Sequence, residues 1–190
     1  EISPEKLRKQ LEKDVIVRSA EIRKKLPHGL EIIIHEKIPL ARFETQKGLL
    51  LSDHGDILPS GRYDLKDLPV ILAPKDINLV EGQHFDLELN DTISKMLELV
   101  QRKTCKVDQE TYSYSDVLKI AVINLRSEGE IRLLLRENKT FYIRRRAQIL
   151  MTHKQVELCL DRAVRAILEE QVARRFITRV DATLQSTPVR

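Results

Sequence analysis

Residues 14–43 read DVIVRSAEIRKKLPHGLEIIIHEKIPLARF, and their pattern decides how the rest of the chain is read. Two runs that alternate apolar and polar positions, Val15 to Lys24 and Leu30 to Glu36, flank a turn at Leu26-Pro27-His28-Gly29. Proline presets φ there, glycine permits the left-handed backbone, and alternation marks half-buried strands. In the second run Leu30, Ile32 and Ile34 alternate with Glu31, Ile33 and His35. Upstream, Ser3-Pro4-Glu5 carries an N-cap, an N1 proline and an acidic first turn, with Leu7 and Leu11 on one face. This predicts a helix ending near Lys13 and packed on an antiparallel hairpin. Pro39 and the polar Glu44-Thr45-Gln46-Lys47-Gly48 stretch place a unit boundary near residue 44.

The chain has 190 residues, enough for one large domain or two small ones. It is 42% hydrophobic and 33% charged, which is globular composition and excludes a disordered chain. Uncharged apolar runs last only a few residues, too short to span a bilayer, and no signal-peptide pattern is present. Glu1 directly precedes the helix-start signal, so the chain reads as a fragment. The formal charge of +4 is mild. Cys105 and Cys159 are too few for a disulfide framework and leave open one bridge or two buried thiols.

Beyond residue 44, Gly48 to Leu58 predicts a hairpin turning at Asp53-His54-Gly55, and Pro69 to Leu72 a short strand. Ile93, Met96, Leu97 and Val100 recur at helical spacing and predict a helix starting at Asn90 or Asp91. Val117–Leu125, Ile131–Leu135 and Thr140–Arg144 read as a meander, turning at Glu128-Gly129 and Glu137-Asn138. Thr152 and Gln155 have capping-box spacing, opening a helix whose apolar face holds Val156, Leu160, Ala163, Val164, Ile167 and Leu168. Cys159 borders that face and reads as a packed thiol. A strand from Phe176 to Ala182, a turn at Gln185-Ser186-Thr187 and the start of a strand at Pro188 close the chain. The expected fold class is α+β: a helix and β-hairpin, then antiparallel strands with two packed helices.

No catalytic pattern emerges. His28, His35, His54, His84 and His153 lack metal-ligand spacing, and adjacent His35 and Glu36 point to opposite faces of a strand. His153 and Cys159 fall on different helical faces, which excludes a cysteine–histidine pair there. No phosphate-binding glycine loop or nucleophile elbow occurs. Asp53 and Asp56 flank a hairpin tip and read as turn formers. Arg144-Arg145-Arg146, after Phe141 and Tyr142, reads as a solvated strand edge and not as a nucleic-acid site. The expectation is therefore no enzyme, no cofactor, no metal and no nucleic acid.

Residues 14–43 resemble the second half of a POTRA domain of the FtsQ/DivIB family of bacterial cell-division proteins. The family pattern is a Val-x-x-Ala strand, a proline turn, a Leu-x-Ile strand and an exit matched here by Glu36, Pro39 and Ala41. Gly48, Leu51, Asp53, Gly55 and Leu58 resemble the family's next hairpin, and Leu68-Pro69-Val70-Ile71-Leu72 its following strand, with Ala73 where glycine is usual. Together with the helix, strand and hairpin order from Met151 to Arg190, these select the division branch among POTRA families.

The resemblance implies that residues 1–44 are the C-terminal part of a POTRA domain and 45–190 an FtsQ-type β-domain. It implies a non-catalytic divisome scaffold in the inner membrane, held by a single helix upstream of this chain, with this segment extracytoplasmic and concentrated at the septum. The implied partners are FtsB- and FtsL-type proteins, with other septal proteins meeting the POTRA unit. Binding would be by strand addition at the C-terminal edge, through Thr183, Leu184, Gln185, Ser186, Thr187 and Val189. The other function this pattern allows is a POTRA-bearing factor in protein transport or outer-membrane assembly. Three departures from the family stand out. Asp181-Ala182-Thr183-Leu184 replaces a usual Asp-Leu-Arg-Tyr, removing an aromatic anchor; Phe43 replaces a usual Trp; and the first POTRA strand and helix lie before Glu1. The remaining helix and hairpin are expected to bury little core of their own.

Overall fold

A computed structural model describes residues 3–25, 29–45, 48–61, 63–107 and 109–184. Helix α1 (Pro4–Leu11) opens on Pro4 as the sequence requires, although the Ser3 side chain makes no capping bond. It ends before the expected Lys13 because Asp14 takes the chain into a turn, its side chain accepting from the Ile16 amide and its carbonyl from that of Val17. Strands β1 (Val17–Lys25) and β2 (Gly29–Glu36) form the expected antiparallel hairpin, with Ala20 opposite Ile34 and Ile22 opposite Ile32. Helix α1 packs on β1. Among the described residues of this hairpin only Val17 and Ala20 are buried; Leu30, Ile32 and Ile34 stay about 45% exposed, as expected of a unit with too few elements to close a core.

Among the described residues beyond the hairpin, eight strands build one mixed sheet. Its first ladder consists of β3 (Pro39–Phe43), β4 (Leu49–Ser52) and β5 (Ile57–Pro59), the last two forming the expected hairpin. Strand β3 precedes residue 44 yet pairs within this sheet. The short β6 (Val70–Leu72) follows, then helix α2 (Leu87–Arg102), a separate ribbon of β7 (Thr104–Val107) and β8 (Glu110–Ser113), and a single helical turn α3 (Tyr114–Val117). The expected meander is present as β9 (Ile120–Asn124), β10 (Glu130–Leu135) and β11 (Ile143–Thr152). Helix α4 (Val156–Val172) leads back to β12 (Ile177–Asp181), which lies parallel to β11. The strand order is β12-β11-β10-β9-β6-β3-β4-β5.

Side-chain alternation gives this sheet two unlike faces. Phe43, Ile71, Ile123, Leu133, Ile149 and Val180 stand side by side in register across six strands and are buried. Helices α2 and α4 cover this row with Ile93, Met96, Leu160, Ala163, Val164 and Ile167, each fully buried. One residue along each strand, Arg42, Val70, Val122, Leu134, Gln148 and Arg179 form a second row on the opposite face. Phe43 is buried and packs against Phe85, ring centroids 5.1 Å apart.

Four further boundaries differ from expectation. Helix α2 starts at Leu87 because Asp86 caps it, accepting from the Leu89 amide at 3.0 Å. Strand β9 starts at Ile120, since Ser113 caps the turn Tyr114–Val117. Strand β11 runs from Ile143 to Thr152 instead of 140–144, passing through an irregularity where Arg146 takes φ +65°. Thr152 forms no capping box: a 3₁₀ turn over His153–Gln155 intervenes, and α4 begins at Val156. The β7–β8 ribbon has no counterpart in the sequence reading.

Gly55, at the tip between β4 and β5, has φ +81°, and a Cβ there would stand 2.5 Å from Asn90 Nδ2 on α2. Its carbonyl also accepts from the Phe85 amide at 2.8 Å. Gly129 has a similar φ of +71° but open space around it. In urea unfolding, Gly55→Ala should therefore cost about 2–3 kcal/mol and Gly129→Ala only about 1 kcal/mol; equal losses would contradict this contact.

Candidate partner-binding edge

Strand β12 is the outermost strand of the sheet's C-terminal side among the described residues. Arg174, at φ +53°, turns the chain out of α4, and pairing begins where the Ile177 amide donates to the Tyr142 carbonyl at 2.9 Å. Pairing extends one residue past Asp181, as the Ala182 amide reaches the Leu150 carbonyl at 3.0 Å. There the chain bends. The Asp181 carboxylate accepts from both the amide and the hydroxyl of Thr183, at 3.1 and 2.6 Å, a local turn that competes with strand continuation. Arg162 of α4 donates to the Ala182 carbonyl at 3.4 Å and ties this bend to the helix.

Of the six residues expected to bind a partner, Thr183 and Leu184 lie in this bend, and Leu184 is 50% exposed. Gln185, Ser186, Thr187 and Val189 lie outside the described residues. Exposed apolar side chains outside the six expected positions stand nearby. Leu158 lies one helical turn before Arg162 on α4 and is 44% exposed. Phe176, just before β12, is 57% exposed, edge-on to Tyr142 at 5.5 Å and under the Arg144 guanidinium at 5.1 Å. An aromatic side chain thus flanks the strand at its start and not past Asp181. The signal available in sequence was an apolar residue off the helix's apolar face (Leu158) and an aromatic next to a strand start (Phe176).

The polar groups behind this edge hold elements together. Lys103 Nζ, at the end of α2, binds Asp161 at 2.7 and 2.9 Å and Glu157 at 2.9 Å, both on α4. The Tyr114 hydroxyl of α3 donates to the same Asp161 at 2.7 Å. Burial opposes the charge on Lys103, but the bonds to Asp161 and Glu157 outweigh it and raise its pKa above the ordinary lysine value. Burial, with the Asp161 bond, pushes the Tyr114 hydroxyl well above its usual value. Cys105 and Cys159 are free thiols. Burial raises the Cys105 pKa, so the thiol stays protonated near neutral pH and is a poor nucleophile. Among the described residues no group of three or more His, Cys, Asp or Glu side chains is arranged to hold a metal ion.

The two aspartates of the β4–β5 tip join the N-terminal hairpin to the sheet. Asp53 accepts from the Ile38 amide at 3.1 Å and donates its own amide to the Ile38 carbonyl at 2.8 Å. Asp56 meets Lys37 Nζ at 2.8 Å and His84 Nδ1 at 2.9 Å. Burial alone would raise the Asp56 pKa, but the bonds from Lys37 and His84 prevail and hold it below the ordinary carboxylate value.

Residues 1–37 match the family model described as POTRA domain, FtsQ-type. The matched segment is α1 with the β1–β2 hairpin, and it stops immediately before β3 joins the large sheet. No curated protein matches the chain. Among the described residues no helix is long and apolar enough to cross a membrane.

Because the Asp56 pKa is lowered on folding, its stabilising effect is complete above the ordinary carboxylate value of about 4 and is lost as pH falls through the lowered value. Asp56→Ala should lower stability by about 1 kcal/mol at pH 7, and the gap to the unaltered protein should narrow progressively as pH falls below the ordinary carboxylate value. Urea titrations across a series of pH values measure this; a gap that does not narrow on acidification would contradict the ion-pair assignment.

Proposed function

We infer that the chain is the extracytoplasmic part of a bacterial cell-division scaffold without catalytic activity. The observation that carries this reading is the FtsQ-type POTRA match over residues 1–37. The protein would sit in the inner membrane through a single helix upstream of Glu1 and concentrate at the septum. Its partners would be FtsB- and FtsL-type coiled-coil proteins, with other septal proteins meeting the POTRA unit. The domain division that accompanies this reading is a partial POTRA over 1–44 and a β-domain over 45–190.

Partner binding is proposed for the stretch that follows β12: Thr183, Leu184, Gln185, Ser186, Thr187 and Val189. A strand added there would gain affinity from main-chain hydrogen bonds and selectivity from alternate side chains. The position of β12 at the end of the sheet supports this, as do the exposed Leu184, Leu158 and Phe176 around it. An added strand needs a rigid template, which the Lys103–Asp161–Tyr114 cluster and the Arg162 bond to Ala182 supply.

Pull-down with a membrane-proximal coiled-coil division protein tests this site. Leu184→Glu and Val189→Glu should each weaken capture tenfold or more, since a carboxylate in an apolar contact costs well over 1 kcal/mol. Undiminished capture by both variants would sink the terminal-strand site, and loss only on substitution within residues 15–36 would move it to the hairpin.

A further inference from the structure

The face of the sheet that α2 and α4 leave open is concave and holds a groove of about 910 Å³. Val70, Leu72, Val122 and Leu134, from three adjacent strands, form an apolar part of its lining, and Gln148 lies beyond them on β11. Arg145 and Arg146 line one side. In register with the floor, Arg42 stands beside Val70 at one end of the row and Arg179 beside Gln148 at the other. Arg42, Arg145, Arg146 and Arg179 are exposed and have no ion-pair partner among the described residues. The acidic side chains nearby are mostly engaged. Glu44 pairs with Arg126 at 2.7 Å, and Asp181 with Thr183. Arg136 is shared with Asp67 at 3.7 Å and the Lys66 carbonyl at 3.0 Å. Among the described residues, four guanidinium groups without an ion pair thus stand around an apolar floor, against two carboxylates without one, Glu137 and Asp181.

We propose that this groove is a second docking site, separate from the β12 edge, for an acidic amphipathic α-helix of a protein partner. Three constraints select that occupant. The strands under the floor, β6, β9 and β10, are paired on both sides, so no strand can be added there and recognition falls to side chains. Four strands at about 4.8 Å spacing give a width of roughly 14 Å, which admits a helix about 10–12 Å across. The unpaired arginines complement carboxylates flanking an apolar stripe, and arginine can bind each carboxylate through two parallel N–H donors. A flat anionic membrane could reach the rim arginines but would leave the concave floor unfilled.

The probe is a fluorescein-labelled synthetic 18-residue helix with leucine at i, i+3, i+4 and i+7 repeats and glutamate beside them. Fluorescence anisotropy with the full chain should show saturable binding, weakened at least tenfold in Arg145→Ser/Arg146→Asn. Both positions are exposed, and asparagine tolerates the positive φ of Arg146, so this variant should keep the unaltered thermal midpoint. Arg102→Ser, on α2 at the other face, should leave affinity unchanged, and the same peptide with lysine for glutamate should not bind. Equal affinity of the double variant, an equal loss in Arg102→Ser, or equal binding of the lysine peptide would overturn the proposal. So would binding to phosphatidylglycerol vesicles with none to the acidic peptide, which would assign the arginines to a lipid surface. No division protein enters this assay, so its outcome is independent of the β12 reading.

Discussion

The eight-stranded sheet depends on three residues. Strand β6, Val70–Leu72, joins the β3-β4-β5 ladder to the β9–β12 strands, and both of its neighbours run parallel to it. Main-chain hydrogen bonds tie it to both neighbours. The Arg42 and Glu44 amides donate to the Pro69 and Ile71 carbonyls at 2.9 and 3.0 Å, and the Leu125 amide donates to Leu72 at 3.0 Å. Parallel neighbours need long crossovers, and these are what carry α2, the β7–β8 ribbon and α3 across one face. Without β6 the sheet would split into the three-stranded β3-β4-β5 piece and the four-stranded β9–β12 piece, and the buried row from Phe43 to Val180 would be broken at Ile71. The same strand also supplies part of the floor of the open face through Val70 and Leu72.

Charged groups concentrate where layers meet, away from that core. Lys103, Asp161 and Tyr114 fix α2, α3 and α4 to one another, while Lys37, Asp53 and Asp56 fix the N-terminal hairpin to the β4–β5 tip. The opposite edge of the sheet is closed by main chain. Ile57 exchanges bonds with Gly82 and Gln83 at 2.8 and 2.9 Å, so β5 is covered by the loop that leads to α2. The contrast with β12 is functional in the proposed reading: one edge is sealed by the chain itself and the other leads into the residues proposed to take a partner strand.

Much of this architecture was legible in the sequence, for physical reasons. Alternation and turn chemistry made the β1–β2 hairpin and the β4–β5 tip readable, and the 3.6-residue spacing from Val156 to Leu168 did the same for α4. The three-residue β6 carries almost no periodic signal, so strand order across it had to come from the structure. The Arg144-Arg145-Arg146 run disguised the middle of β11, because charged residues gather at an irregularity where the strand leaves regular pairing. At Thr152 a side chain of capping type meets a 3₁₀ turn instead, a tertiary outcome that spacing cannot foresee. Thr183 and Leu184 were named through family resemblance, but the exposure of Leu158 and Phe176 is a property of packing. The outward row is harder still to read: residues 42, 70, 122, 134, 148 and 179 become neighbours only through the sheet order.

A terminal-strand interface has a specific signature in amide hydrogen exchange. With an FtsB-type coiled-coil protein at saturating concentration, amides from Ile177 through Arg190 should slow, because a paired strand withdraws its donors from water, while those of β1 and β2 should be unchanged. Slowing confined to residues 17–36, or absent everywhere under saturating partner, would contradict binding at the C-terminal edge.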